Sequence, residues 1–192
     1  MPEGDPSLTP LSEFFCYHIF GLPRALQAWQ EDVSSYSLQI GGLIDPPVKL
    51  SLAEIREAHE PVSRVLVLQC MSKVRWGRIG FTGARLWDVL QTAGIPRGAF
   101  KLAIHGADGY ATDLTVEEVR RQPDAFLLAY AMGGGAVPPQ HGFPLRSTAD
   151  GKYGYKWCKW VQTLEVVDYD YRGYYETHYG WSDAGTRGQP VL

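Results

Sequence analysis

Cys70 is followed within eight residues by Lys73, Arg75 and Arg78. Cations near a thiol favour its thiolate, the form that attacks an electrophile or ligates a soft metal. The segment is therefore the first candidate for chemistry, set against a reading of Cys70 as a small apolar filler. Cys16 and Cys158 lie among Phe14, Phe15, Trp157 and Trp160 and read as fillers. His141 and Arg146 share a Pro- and Gly-rich stretch where both side chains can converge on one ligand, or belong to a surface loop fixed by Pro138, Pro139 and Pro144. Between Gly151 and Trp160, Lys152, Lys156 and Lys159 interleave with aromatics. Their ammonium groups and the nearby glycine amides suit a phosphate, or the lysines occupy the wet face of a strand. Asp108-Gly109-Tyr110 has the composition of a β-turn. His18, His59, His105 and His178 lack the close His or Cys neighbours of a zinc site.

The chain around these residues has 192 residues, of which 45% are hydrophobic, 12% aromatic and 20% charged. A single domain of this size buries roughly 70% of its unfolded surface, enough for a sizeable core. The formal charge of -3 and pI near 5.9 give no footprint for nucleic acid or an anionic membrane. Three scattered cysteines exclude a disulfide scaffold. No run approaches the roughly 18 apolar residues of a membrane span, and the start lacks a basic region followed by an apolar one. No export signal is visible, and the compartment stays open.

Elements follow from periodicity and punctuation. Residues 1–10, with Pro2, Pro6 and Pro10, read as a loose lead, and residues 11–192 as one domain. Tyr36 to Ile40 alternates like a half-buried strand, and Ser51 with Glu54 forms a capping box opening a helix to about His59. Arg64 to Gln69 reads as a buried strand running into Cys70. Leu86, Val89 and Leu90 share a helical face that Gly94 and Pro96 terminate. Phe100 to Ile104 is a further strand, Thr115 with Glu118 a second capping box, and Phe126 to Met132 a strand turned by Gly133-Gly134-Gly135. Val137 to Gly154 is irregular, Trp160 to Val167 is the last clear strand, and the tyrosines from Tyr169 to Tyr179 read as strand or edge packing. Short helices among strands without a βαβ period predict an α+β fold with mixed β-sheets.

Taken in order, these pieces resemble the catalytic molybdopterin domain of the sulfite oxidase family, including its small bacterial members and the methionine sulfoxide reductase catalytic subunits. The likeness runs from about residue 11 to 183. It rests on Phe14-Phe15-Cys16-Tyr17-His18, the strand into Gln69-Cys70, Gly83-Ala84-Arg85-Leu86, Ala107-Asp108-Gly109-Tyr110, Leu127 to Met132, Pro138 to Arg146, and Lys152-Tyr153-Gly154-Tyr155-Lys156.

The resemblance implies Cys70 as the protein thiolate on molybdenum. It implies Tyr17, His18, His141, Arg146, Gly154, Tyr155 and Lys156 as contacts to the molybdopterin, with Tyr110 beside the metal. Arg75 falls at an anion-binding arginine of the family, and Arg75, Lys73 and Asp108 would orient a substrate. Cys70 precedes Met71-Ser72-Lys73-Val74-Arg75 where sulfite oxidases carry an Ala-Gly-Asn-Arg-Arg type run, which leaves the substrate open between a sulfite-like anion and a sulfoxide. The activity implied is two-electron oxygen-atom transfer. Its cofactor is the molybdenum cofactor, without haem in this chain, and its partner a separate electron carrier such as a cytochrome or haem protein. Two other readings are a cysteine-nucleophile hydrolase using Cys70 with His105 or His141 as base, and a non-catalytic domain binding pterin or another phosphorylated ligand.

Overall fold

The computed structural model of the protein describes residues 7–192. The expected loose lead is only partly testable, because residues 1–6 lie outside the described residues. Order begins before Leu11: the Thr9 amide donates to the Arg78 carbonyl at 2.7 Å, and the Arg78 amide donates back to Thr9 Oγ1 at 3.0 Å.

A short helix α1 (Leu26–Glu31) buries Leu26 and Trp29 and precedes β1 (Ser37–Gly42) and β2 (Val48–Ser51). Helix α2 (Leu52–Ala58) starts at the expected capping box, with Ser51 and Glu54 satisfying each other's backbone amides. Next come β3 (Val62–Gln69), β4 (Trp76–Arg85), α3 (Leu86–Thr92), β5 (Lys101–Gly106) and β6 (Ala111–Thr115). Helix α4 (Val116–Arg121) has only half of its predicted capping box. Thr115 accepts from the Glu118 amide, whereas the Glu118 carboxylate turns away to pair with Lys152 at 3.0 Å. The chain continues through β7 (Leu127–Met132), β8 (Gly135–Ala136), α5 (Pro139–Gly142), β9 (Arg146–Ser147), β10 (Val161–Val167) and α6 (Tyr174–Tyr179).

One sheet runs β2-β1-β10-β5-β6 and is mixed, since β1 pairs with β10 in parallel and the other neighbours are antiparallel. The second runs β3-β4-β7-β8, with β9 also on β7, and is antiparallel throughout. The architecture is the expected α+β with mixed β-sheets. One continuous core takes Leu38, Ile40, Leu102, Ile104 and Leu164 from the first sheet and Leu66, Phe81 and Leu128 from the second. Among the described residues no helix is long and apolar enough to cross a membrane.

Three features depart from the sequence reading. The longest strand, β4, was not anticipated, because its small residues Gly77, Gly80 and Gly83 interrupt the hydrophobic alternation. Gly83 is required there: a Cβ would lie 2.2 Å from the Leu128 carbonyl of the neighbouring strand. Strand β3 is buried on one face only, at Val62, Leu66 and Leu68. The tyrosine-rich stretch forms helix α6 and not a strand, capped by Gly180 in the left-handed conformation at φ 67°.

Candidate functional site

The alternation of β3 aims Cys70. Leu66 and Leu68 point into the core, and one further period of two brings Cys70 to the same face, at the strand's end. The hairpin then closes tightly. The Cys70 amide donates to the Arg75 carbonyl at 2.8 Å, the Lys73 amide donates to the Cys70 carbonyl at 2.9 Å, and Lys73 takes φ 66°. The turn Gly154–Lys156 lies against this strand end, where a Cβ on Gly154 would meet Leu68 Cδ1 at 3.3 Å and the Gln69 carbonyl at 3.4 Å.

Cys70 opens onto a cavity of about 360 Å³. Of the residues singled out in the sequence, Tyr17, His18, Cys70, Asp108, Tyr110, His141, Arg146, Gly154 and Tyr155 all line it. These come from segments far apart in sequence: the stretch before α1, the end of β3, the turn before β6, helix α5, strand β9 and the turn Gly154–Lys156.

One part of the cavity wall is cationic. Arg146 is buried at the start of β9, over the rings of Phe81 and Trp157, and donates from Nη1 to the His141 carbonyl at 2.9 Å. Among the described residues its Nε is buried without a hydrogen-bond partner and Arg146 forms no salt bridge. Burial pulls the guanidinium down to about 10. Lys159 donates to the Tyr17 carbonyl at 2.6 Å and lies 3.4 Å from His18 Nδ1 and 3.6 Å from Cys16 Sγ. Burial, with Arg146 nearby, lowers the Lys159 ammonium to about 8. His141 is lowered to about 4, first by burial and then by Arg146 and Lys159, so it is neutral near pH 7. Among the described residues the one carboxylate in the wall is Asp108, whose pKa is raised by burial and whose Oδ1 accepts from the Tyr110 amide at 3.2 Å.

Several residues singled out in the sequence are placed away from the cavity or are engaged by other groups. Lys73 and Arg75 are exposed on the hairpin beyond Cys70 and do not line the cavity, because the tight turn carries them outward. Lys156 is buried elsewhere: its ammonium sits 2.9 Å from Asp113 Oδ1 and 2.7 Å from Glu176 Oε1. With Lys101 it pairs with the carboxylates of Asp113, Glu176 and Asp183 in one ion network, and it is not among the residues lining the cavity. Tyr110 lines the cavity, and its hydroxyl donates to the Tyr155 carbonyl, which ties the turn at Asp108 to the turn at Gly154. His105, on β5, lies 3.4 Å from Glu165 and is not among the residues lining the cavity with Cys70.

Other lining residues escaped the sequence. Cys158 is the buried filler expected, but Cys16 lines the cavity and donates to the Gln140 carbonyl at 2.9 Å. Lys159 was one lysine in a cluster, with nothing to distinguish it from Lys156. Tyr175 and Tyr179 are four apart, a helical spacing that sets both on one face of α6, and Trp181 follows the cap. The segment after α6 wraps back over the site. The Tyr153 amide donates to the Gly185 carbonyl at 2.7 Å, the Tyr155 hydroxyl to the Ser182 carbonyl at 2.7 Å, and Arg187 to the Val67 carbonyl at 3.1 Å.

Comparison with known proteins points in one direction. Residues 25–175 match the family model described as "Oxidoreductase molybdopterin binding domain". The uncharacterized oxidoreductase YuiH of Bacillus subtilis is 29% identical over 150 residues, covering 77% of this chain and 73% of that protein. Sulfite oxidase of Arabidopsis thaliana is 30% identical over 178 residues, covering 76% of this chain and 45% of that protein. The fold is similar to the sulfane dehydrogenase SoxCD of Paracoccus pantotrophus, with a TM-score of 0.76 at 20% identity over 97% of this chain and 51% of that one. This chain thus spans about three-quarters of YuiH and about half of the other two.

Proposed function

The chain belongs to the oxidoreductase molybdopterin-binding domain family, and on that premise we propose that its cavity holds the molybdenum cofactor with Cys70 as the protein ligand to the metal. The observation that carries this reading is the company Cys70 keeps: a thiol and a buried guanidinium without a carboxylate partner open into the same cavity. An unpaired buried charge is costly and is retained where a ligand compensates it. Arg146 Nε, the Lys159 ammonium and the neutral His141 together make a donor set for an anionic, ring-bearing group, so the residues fit a phosphorylated pterin.

When bound, the cofactor supplies a metal that cycles by two electrons and exchanges an oxygen atom with a small substrate, of which a sulfite-like anion and a sulfoxide are the two classes considered. The chain's own part is positional and electrostatic. Arg146 and Lys159 hold the anionic end, and the Tyr17 carbonyl and His18 fix Lys159. Tyr110 is a positioning residue, since its hydroxyl joins the two turns that flank the thiol. Asp108, whose carboxyl holds its proton more readily because of burial, lines the same cavity and is a candidate to exchange a proton with substrate. A carrier such as a cytochrome or haem protein would relay the electrons singly.

The test is molybdenum and pterin content per chain, in wild type and Cys70→Ser made in a host that synthesises the cofactor. Near-equimolar metal and pterin in wild type, with metal reduced and the fold kept in Cys70→Ser, is the expected result. A folded wild type without either overturns the reading. The hydrolase alternative keeps His141, which lines the cavity with Cys70, as its base and predicts alkylation-sensitive hydrolysis without metal, and the non-catalytic alternative predicts bound cofactor with no redox response.

A further inference from the structure

The cavity wall is divided, and the division says what kind of molecule can stand before Cys70. The two cations lie with the histidines of the wall: Lys159 is 3.4 Å from His18 Nδ1, and Arg146 donates to the His141 carbonyl. Tyr175 belongs to a separate, continuous aromatic surface. Its ring stacks on Trp181 at 4.2 Å between centroids and 8° between planes, and Tyr155 meets Trp181 edge-on at 5.0 Å. Tyr110 and Tyr179 extend the same surface, at 6.1 Å and 5.6 Å from Tyr175. All five rings line the cavity, while Lys73 and Arg75, the cations nearest Cys70 in sequence, do not.

We propose that the Tyr175–Trp181 stack is the substrate-facing wall of the site and selects an uncharged organic molecule with an apolar or ring-bearing group over a free inorganic oxyanion. The inference rests on the cofactor reading above, which assigns the cationic part of the cavity to the cofactor and leaves the aromatic part to the substrate. Ring faces reward an apolar group by stacking and burial, and they give a small dianion nothing in exchange for its hydration. A desolvated anion needs paired cations, and here those are committed to the other part of the wall.

The molybdenum-loaded protein, with metal content measured on each sample, is titrated calorimetrically with methyl phenyl sulfoxide, dimethyl sulfoxide and sulfate. Methyl phenyl sulfoxide should bind about tenfold tighter than dimethyl sulfoxide, and sulfate should show no binding. Trp181→Ala should lose about tenfold for the aryl probe, Trp181→Phe should restore most of it, and Lys73→Glu with Arg75→Glu should change nothing. Sulfate binding as tight as the aryl probe, or a folded Trp181→Ala with unaltered affinity, overturns the proposal while leaving the cofactor reading intact if metal is present. Preserved aryl binding in a chain that takes up no metal supports the wall and overturns the cofactor reading.

Discussion

Arg146 donates from Nη1 to the carbonyl of His141, five residues earlier in the chain, and leaves its Nε buried and unpaired at the edge of the same cavity. The guanidinium is thereby oriented by backbone but neutralised by nothing. Replacing it should separate ligand binding from stability. Arg146→Met is expected to lower pterin retention at least tenfold, while the melting temperature of the cofactor-free chain stays level or rises, because an uncompensated buried charge has been removed. Pterin content measured beside thermal unfolding checks both halves, and full retention in the variant contradicts the assignment.

Lys156 gives the opposite expectation. Its ammonium stands between Asp113 and Glu176, both nearly without solvent exposure. Lys156→Met leaves those carboxylates uncompensated and should cost about 3–5 kcal/mol of stability, read by chemical denaturation. A variant of normal stability that has lost its pterin would return Lys156 to the role of a direct ligand.

Lys159 makes anion binding sensitive to pH. The unfolded side chain titrates near 10.5 and the folded one near 8. Between these values the unfolded chain binds the extra proton, so the Lys159 contribution to stability rises with pH; below about pH 8 both states are charged and the cost of burying the ammonium is fully present. Binding of an anion that needs this charge runs the other way and weakens above about pH 8. Pyrophosphate titrated into the cofactor-free protein at pH 7 and pH 9 should bind more weakly at the higher pH, and Lys159→Met should bind weakly at both. Equal dependence on pH in that variant would assign the titration to another group.

The segment after α6 should be sensitive to size at Gly185. This residue has φ 57°, and a Cβ there would stand 2.5 Å from Lys156 Cγ. Gly185→Val is expected to cost about 2 kcal/mol by adding strain and overpacking. Because the Gly185 carbonyl accepts from the Tyr153 amide, hydrogen exchange should quicken at Tyr153 first. Unchanged exchange there would mean that the strap does not hold the turn.

How much of this was readable beforehand depended on the range of the interaction. Local signals carried well: the Ser51 capping box, the alternation of Leu66 and Leu68 that aims Cys70, and the Pro-rich setting of His141 and Arg146 all report neighbours a few residues away. Roles set by distant partners did not carry. Lys156 and Lys159 have near-identical surroundings in sequence, and only the arrival of Asp113 and Glu176 at one, and of Cys16 and Tyr17 at the other, separates an ion network from a cavity wall. Lys73 and Arg75 misled because closeness to Cys70 along the chain is undone by a tight turn. Helix α6 was hidden by tyrosine's preference for strands, which packing against the site overrides.

The central claim is that Cys70 ligates molybdenum, and X-ray absorption at the molybdenum edge tests it most directly. Comparing wild type with Cys70→Ser, each purified with its metal content known, the account predicts one fewer sulfur neighbour around the metal in the variant. An unchanged sulfur shell in a folded, metal-containing Cys70→Ser protein would contradict it.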